Sequence, residues 1–203
     1  MKTIGITGGV GCGKSAVIKY IEDNYNARII FADNLAYELE SPGHECYDDI
    51  VALLGKEILS EDGTIDKRAM AAKIFTDQDL LLKVNGIIHP AVKRYILQAI
   101  EDEKAEGKYD LFVLEAALLI EEKYYEILDE LWYVRCDEDI RRERLKATRG
   151  YSDEKIDRIM SSQCDDQTFL KYCVHVIDNN GSLEDAYAQV DALLNDIIAL
   201  EET

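Results

Sequence analysis

Proline is almost missing from this chain: Pro42 and Pro90 are the only two in 203 residues. No stretch has the Gly, Ser or charge bias of a linker or low-complexity tract, and no internal repeat is present. A chain with so few breaks reads as one main folded unit with no more than a small appended part. Cysteine pairs of the Cys-x-x-Cys kind are also absent. Cys12, Cys46, Cys136, Cys164 and Cys173 are odd in number and scattered, which suggests neither a disulfide frame nor a zinc site but free thiols in a reducing cytoplasm. No apolar run reaches membrane-spanning length, and the opening "MKTIGITGG" enters a strand and a glycine loop without an apolar signal core. A cytoplasmic protein with no membrane partner is expected. Positive charge is scarce as well: 23 Lys and Arg face 41 Asp and Glu, for a formal net charge of −18 and a pI near 4.5. That excludes a broad surface for nucleic acid or anionic lipid, so any polyanionic ligand needs a local basic patch.

What the chain does have is hydrophobic content of 47%, arranged as short apolar runs alternating with longer amphipathic ones. That alternation marks a parallel sheet with crossover helices. Strands are predicted at Thr3–Thr7, Ala27–Ala32, Leu111–Glu115, Leu131–Cys136 and Val174–Asp178, where β-branched and aromatic residues concentrate. Helices are predicted at Ser15–Asn24, Asp33–Glu40, Ile140–Thr148 and Ser182–Leu200. The last has Ser182 as N-cap and Leu183, Ala186, Val190, Leu193, Leu194 and Ile197 on one face. Between Ser41 and Lys108 the signals are almost all helical, including Asp77–Glu106, punctuated by His89-Pro90. This is too much for one crossover. The expected fold class is therefore α/β: a three-layer core of about five mostly parallel strands (about 1–40 and 109–203) with a helical insert (about 41–108) covering the carboxyl ends of the strands, and a segment at about 140–160 that the basic residues below mark as a lid.

Residues Gly8-Gly9-Val10-Gly11-Cys12-Gly13-Lys14-Ser15 fit G-x-x-x-x-G-K-[ST], with a strand before and an amphipathic helix after. Without Cβ atoms the glycines let backbone N–H groups turn toward phosphate oxygens, and the helix start adds its own free donors and positive dipole end. Gly9, Gly11, Cys12, Gly13, Lys14, Ser15 and Ala16 are thus candidate ATP-binding residues. Lys14 is expected to reach the β- and γ-phosphates, and the Ser15 hydroxyl to enter the shell of a Mg²⁺ bridging them. Cys12, beside a helix start, reads either as an oxidation-prone thiol or as a simple replacement for serine.

Such a loop does not by itself say what receives the phosphate. Asp33, just past the second strand, is placed as the base that deprotonates an acceptor hydroxyl, or as a cap of the following helix. Glu115, at the end of the third strand, is either a carboxylate holding Mg²⁺ through water or a strand-end charge. Much of the positive charge gathers at Arg135, Arg141, Arg142, Arg144, Lys146 and Arg149. As a group these suit a lid that neutralises the transferring phosphoryl and excludes water, whereas singly each suits a solvated helix paired to Asp137, Glu138 and Glu143. His89, before a proline, reads equally as a helix-terminus residue, and Tyr124, Tyr125 and Tyr133 as packing residues.

The strings "IGITGGVGCGKS", "FADNLAYEL", "IIHPAV", "LLIE", "RLKATRGYSDEKI...SSQ" and "VIDNNGS" follow one another as in the dephospho-coenzyme A kinase family, which the chain resembles over nearly its whole length. The resemblance implies a P-loop core with a helical substrate domain and a lid, transferring the γ-phosphate of ATP to the ribose 3′-hydroxyl of dephospho-coenzyme A. It implies Asp33 as catalytic base, Gly11–Ala16 as ATP loop, Arg144 as a lid arginine acting with Lys14, and His89 near the acceptor. The chain departs from the family pattern at Tyr37, where arginine is typical, and at Ala117, where proline is usual. It departs again at Thr148, whose arginine stands one place later as Arg149, and at Cys173-Val174. Two other readings remain: a kinase of the same chemistry for another small hydroxyl, such as a nucleoside or nucleotide, and a non-catalytic nucleotide-binding paralogue. A GTPase is disfavoured, since no Asn-Lys-x-Asp stretch occurs.

Overall fold

The computed structural model describes residues 1–201, with side chains through residue 197. Its elements run β1 (Lys2–Thr7), α1 (Lys14–Asn24), β2 (Ala27–Phe31), α2 (Ala32–Leu39), α3 (Tyr47–Leu54), α4 (Lys67–Ile74), α5 (Gln78–Glu106), β3 (Leu111–Glu115), β4 (Glu130–Arg135), α6 (Glu138–Arg149), α7 (Asp153–Ser161), α8 (Asp166–Tyr172), β5 (His175–Asp178) and α9 (Leu183–Glu201). Short 3₁₀ turns lie at Lys56–Ile58 and Tyr124–Glu126. The five strands form one sheet in the order β2-β3-β1-β4-β5. β1 pairs in parallel with both β3 and β4, and β4 with β5, as an α/β fold with crossover helices requires.

The chain divides into two compact units. One comprises Met1–Ile30 and Glu103–Thr203, the other Phe31–Asp102. In the first, the middle strands are apolar on both faces because helices cover both. Ile4, Ile6, Phe112, Val113, Leu114, Trp132 and Val134 are fully buried, each such side chain contributing roughly 1.5–3 kcal/mol. Helices α1 and α9 join through stacked Tyr20 and Tyr187 rings with centroids 4.1 Å apart. The hydroxyls of Tyr20 and Tyr25 both donate to Asp191. The predicted N-cap of the last helix is present: Ser182 Oγ accepts from Asp185 N at 3.1 Å and Asp185 Oδ2 answers from Ser182 N, a reciprocal box. Of the predicted apolar face, Ala186, Val190, Leu194 and Ile197 are buried, whereas Leu183 is exposed at the start. The tyrosines pack as expected: Tyr133 stacks on Phe169, Tyr125 on Tyr172, and Tyr124 is buried.

The second unit contains α2, α3, α4 and most of α5, with a single antiparallel bridge between Leu59 and Ile65. Here one expectation is corrected. Pro90 does not interrupt the helix, and α5 runs unbroken from Gln78 to Glu106 with Pro90 inside it. Proline costs the N–H that would bond the carbonyl of residue 86. The buried stripe Val84, Ile88, Ala91, Val92, Ile96 and Ile100 crosses that point without a change of phase, and tertiary burial outweighs the lost bond.

The base of the sheet carries a testable electrostatic contact. The buried Trp132 donates its indole N–H to Glu130 Oε2 at 2.9 Å, while Lys2 Nζ lies 3.0 Å from Oε1. Burial raises the Glu130 pKa, but the Trp132 and Lys2 contacts outweigh it and leave the group below its ordinary value of 4.5. A carboxylate depressed in the folded state adds stability above the unfolded value, and that stability is lost as pH falls through the folded value. Glu130→Gln is expected to destabilise the protein by about 1–2 kcal/mol at pH 7. In urea melts the gap from the parent should close as pH drops from about 5 toward about 3; a gap that stays constant would contradict this.

Candidate active site

The central strand β1 ends at Thr7, and the chain turns through Gly8–Gly13 before α1 begins at Lys14. Gly8, Gly11 and Gly13 hold φ of 148°, 79° and 95°. Gly13 is the N-cap of α1 in the left-handed region, with no side chain capping the helix. The space a Cβ at Gly13 would occupy is filled by the Asn179 amide, so both conformation and room demand glycine. An uncapped helix start exposes N–H donors and the positive dipole end to any anion placed before it.

Lys14 folds back over the loop. Its ammonium donates to the Gly8 carbonyl at 2.8 Å and stands 3.8 Å from Glu115 Oε1, at the end of β3. Ser15 is exposed in the first turn of α1, Ala16 follows half-buried, and Gly9 is buried. Cys12 is 1% exposed, so its thiol is sealed inside the loop, whereas its carbonyl accepts from Asn179 Nδ2 at 2.7 Å.

Asn179 was not singled out from the sequence beyond its place in the "VIDNNGS" string, yet it joins three parts of this unit. It directly follows β5 and is completely buried. Its N–H donates to Arg135 O, its carbonyl accepts from Arg144 Nη2 at 3.0 Å, and its side chain holds Cys12. Its Oδ1 is a buried acceptor without a partner among the described residues. The available signal was two consecutive asparagines at the carboxyl end of a strand, the edge where α/β sheets build ligand sites.

The basic residues after β4 separate into two groups. Arg142 pairs with Glu138, Asp153 and Asp157 at 2.7–3.0 Å and Lys146 with Asp153, which staples α6 to α7. The three carboxylates raise the Arg142 pKa further still. Arg135 pairs with Asp137, Asp166 and Asp178, and Arg149 lies over the Tyr151 ring. Arg142 and Lys146 thus behave as solvated helix residues in ion pairs, Arg135 is paired from the end of β4, and Arg149 meets a ring and no carboxylate among the described residues. Arg141 and Arg144 differ, because both meet only uncharged atoms. Arg141 donates to Val10 O at 2.9 Å and Gln163 Oε1 at 3.1 Å. Arg144 donates to Asn179 O, with Cys136 Sγ at 3.5 Å. Among the described residues neither has a carboxylate partner, so two positive charges stand uncancelled against the loop.

In the second unit, Asp33 is exposed and is the second residue of α2, whose N-cap position is Phe31. The capping alternative is therefore not realised, although a carboxylate in the first turn still favours the helix dipole. No hydrogen bond or ion pair engages its carboxylate among the described residues. His89 is half-buried on α5. Tyr37, one turn after Asp33, lines a cavity of about 490 Å³ with Glu40, Ser41, Thr64, Ile65 and Lys67. Lys67 pairs with the buried Glu40 and lies 3.9 Å over the Tyr37 ring, so a cation stands beside position 37 despite the absence of arginine there.

The described residues contain no helix long and apolar enough to cross a membrane. Comparison with known proteins shows the family. The sequence profile of the dephospho-CoA kinase family matches residues 2–185. A dephospho-CoA kinase of Aquifex aeolicus is 36% identical over 97% of this chain and 98% of its own length. The solved structure of TT1252 from Thermus thermophilus superposes with a TM-score of 0.80 at 26% identity, covering 96% of this chain and 97% of that one. The dephospho-CoA kinase of Campylobacter jejuni shares the fold with a TM-score of 0.72 at 22% identity, over 97% and 98% of the two chains. A glycine loop at the end of the central strand, two uncancelled arginines against it, and a family match spanning nearly the whole chain converge: this protein belongs to the dephospho-CoA kinase family.

Proposed function

We propose that the protein is an ATP-dependent kinase that phosphorylates the ribose 3′-hydroxyl of dephospho-coenzyme A, the closing step of coenzyme A synthesis, in the cytoplasm. The observation that carries the reading is the loop itself, where glycine amides and a lysine meet two arginines that have no carboxylate partner among the described residues, in a chain of net charge −18. Such a place suits the tail of a nucleoside triphosphate. In the transfer the bond between the γ-phosphorus and its bridging oxygen breaks, leaving ADP, and the acceptor oxygen bonds the phosphorus. Asp33 takes the proton that this oxygen loses. Lys14 and the loop residues Gly9, Gly11, Cys12, Gly13, Ser15 and Ala16 hold and orient the triphosphate. Arg144 neutralises charge on the transferring group, and the family resemblance assigns His89 to the acceptor.

The donors present also suit Mg²⁺. Ser15 supplies a hydroxyl and Glu115 a carboxylate, both hard oxygens, and no cluster of three or more His, Cys, Asp or Glu that could hold a metal occurs among the described residues. That is the usual arrangement when phosphate oxygens complete the shell. Bound there, Mg²⁺ would screen negative charge on the β- and γ-phosphates.

Asp33→Asn is expected to lower turnover by about a hundredfold or more with nearly unchanged ATP affinity; unchanged turnover would remove Asp33 from the chemistry. Gly13→Ala places a Cβ at φ of 95° into the Asn179 amide. ATP binding by calorimetry should then weaken at least about tenfold, near 1.4 kcal/mol, and an unaltered dissociation constant would contradict the cradle. The function itself is tested by offering ATP with a panel of hydroxyl acceptors. Turnover should be fastest with dephospho-coenzyme A. Brisk turnover of a nucleoside instead would replace the acceptor, and no ATP consumption with any acceptor would favour a non-catalytic paralogue.

A further inference from the structure

Arg141 and Gln163 form a closed arrangement with the loop, in which Gln163 has no role above. The guanidinium of Arg141 lies against Gly9, where a Cβ would overlap the guanidinium carbon and both terminal nitrogens. Its Nε donates to the carbonyl of Val10 at 2.9 Å and its Nη2 to Gln163 Oε1 at 3.1 Å. The same Gln163 oxygen accepts the N–H of Val10 at 3.0 Å. One amide oxygen thus serves two donors, and both backbone groups of Val10 are held, its carbonyl by Arg141 and its N–H by Gln163.

Carboxylates are close by, which makes their non-involvement informative. Arg141 and Gln163 line a cavity of about 480 Å³ with Asp137, Glu138, Asp165 and Asp166. Asp137 and Asp166 pair with Arg135, Glu138 pairs with Arg142, and Asp165 caps α8. Each acid is engaged elsewhere, and Arg141 is fixed by neutral oxygens alone. A glutamate at position 163 could accept the same two bonds, with a stronger contact to Arg141, but it would cancel the charge. Glutamine fixes the direction of the guanidinium and leaves its charge for a ligand.

Building on the reading of this loop as a triphosphate site, we infer that Arg141, held against Gly9 and Val10, is a second phosphate-binding arginine of the loop, and that Gln163 is its positioning residue. A negative charge at position 163 would then weaken the attraction of the loop for phosphate, and most for the ligand that carries the most charge. The rival explanation is a purely mechanical staple that shapes the loop whatever its charge.

The two explanations separate in Gln163→Glu, which keeps the acceptors and alters only charge. Binding of ADP and of a non-hydrolysable ATP analogue is measured by calorimetry, together with kcat, KM and thermal midpoint. The inference expects analogue affinity to fall at least about tenfold, more than ADP affinity, and kcat/KM for ATP to fall with it, with a thermal midpoint equal to or above the parent's. Unchanged affinities and kinetics in a stabilised protein would establish the staple and overturn the inference. If Gln163→Glu does not fold, Arg141→Lys and Arg141→Met decide. The inference expects Lys to bind the analogue more tightly than Met at matched stability, while equal loss in both would overturn it. The parent protein is measured first. Failure of the parent to bind the analogue would defeat the triphosphate reading itself, whereas normal parent binding with insensitive variants would defeat only this inference.

Discussion

The loop's hold on a polyanion depends on positive charge that the protein leaves uncancelled. In a chain with 41 acidic and 23 basic side chains, the default fate of a lysine or arginine is an ion pair, and Arg135, Arg142 and Lys146 follow it. Arg141 and Arg144 are instead held by carbonyl and amide oxygens. A unit charge about 4 Å from a phosphate oxygen is worth about 4 kcal/mol at the effective dielectric near a protein surface, and a nearby carboxylate would remove most of it. Fixing an arginine by neutral acceptors orients it before the ligand arrives and keeps the attraction for the ligand.

The sheet explains why that charge sits where it does. β1 lies at the centre, buried on both faces between β3 and β4, so the turn that leaves it has a rigid base. β5 and β4 lie on one side of β1, so the segments after them, Asn179 and α6, come to the same loop. Asn179 ties Cys12, Arg135 and Arg144 together from a fully buried position. Burying an amide costs free energy unless its groups are bonded, and its remaining oxygen is the one polar atom of this hub without a partner among the described residues.

Much of this was readable in the sequence, and the rest fails for physical reasons. The strands and the loop could be read because both are local: apolar runs set the first, and glycines at fixed spacing before a lysine and a serine set the second. The division of the basic cluster could not be read. Arg141 and Arg142 are adjacent, and only the orientation of α6 decides that one turns to Val10 and the other to Asp153 and Asp157. Asn179 was likewise hidden, since its importance comes from partners at residues 12, 135 and 144, brought to it by strand order. Pro90 misled in the other direction, because a local rule predicted an interruption that a long buried stripe overrides. Asp33 was placed correctly after the second strand, but its freedom from capping depends on the helix starting one residue earlier, at Ala32.

A crystal structure with a non-hydrolysable ATP analogue bound tests the central claim most directly. The account predicts the triphosphate wrapped by the amides between Gly9 and Ala16, with the guanidinium groups of Arg141 and Arg144 directed at its oxygens. A triphosphate bound elsewhere, or one in the loop with both arginines turned to carboxylates, would contradict it.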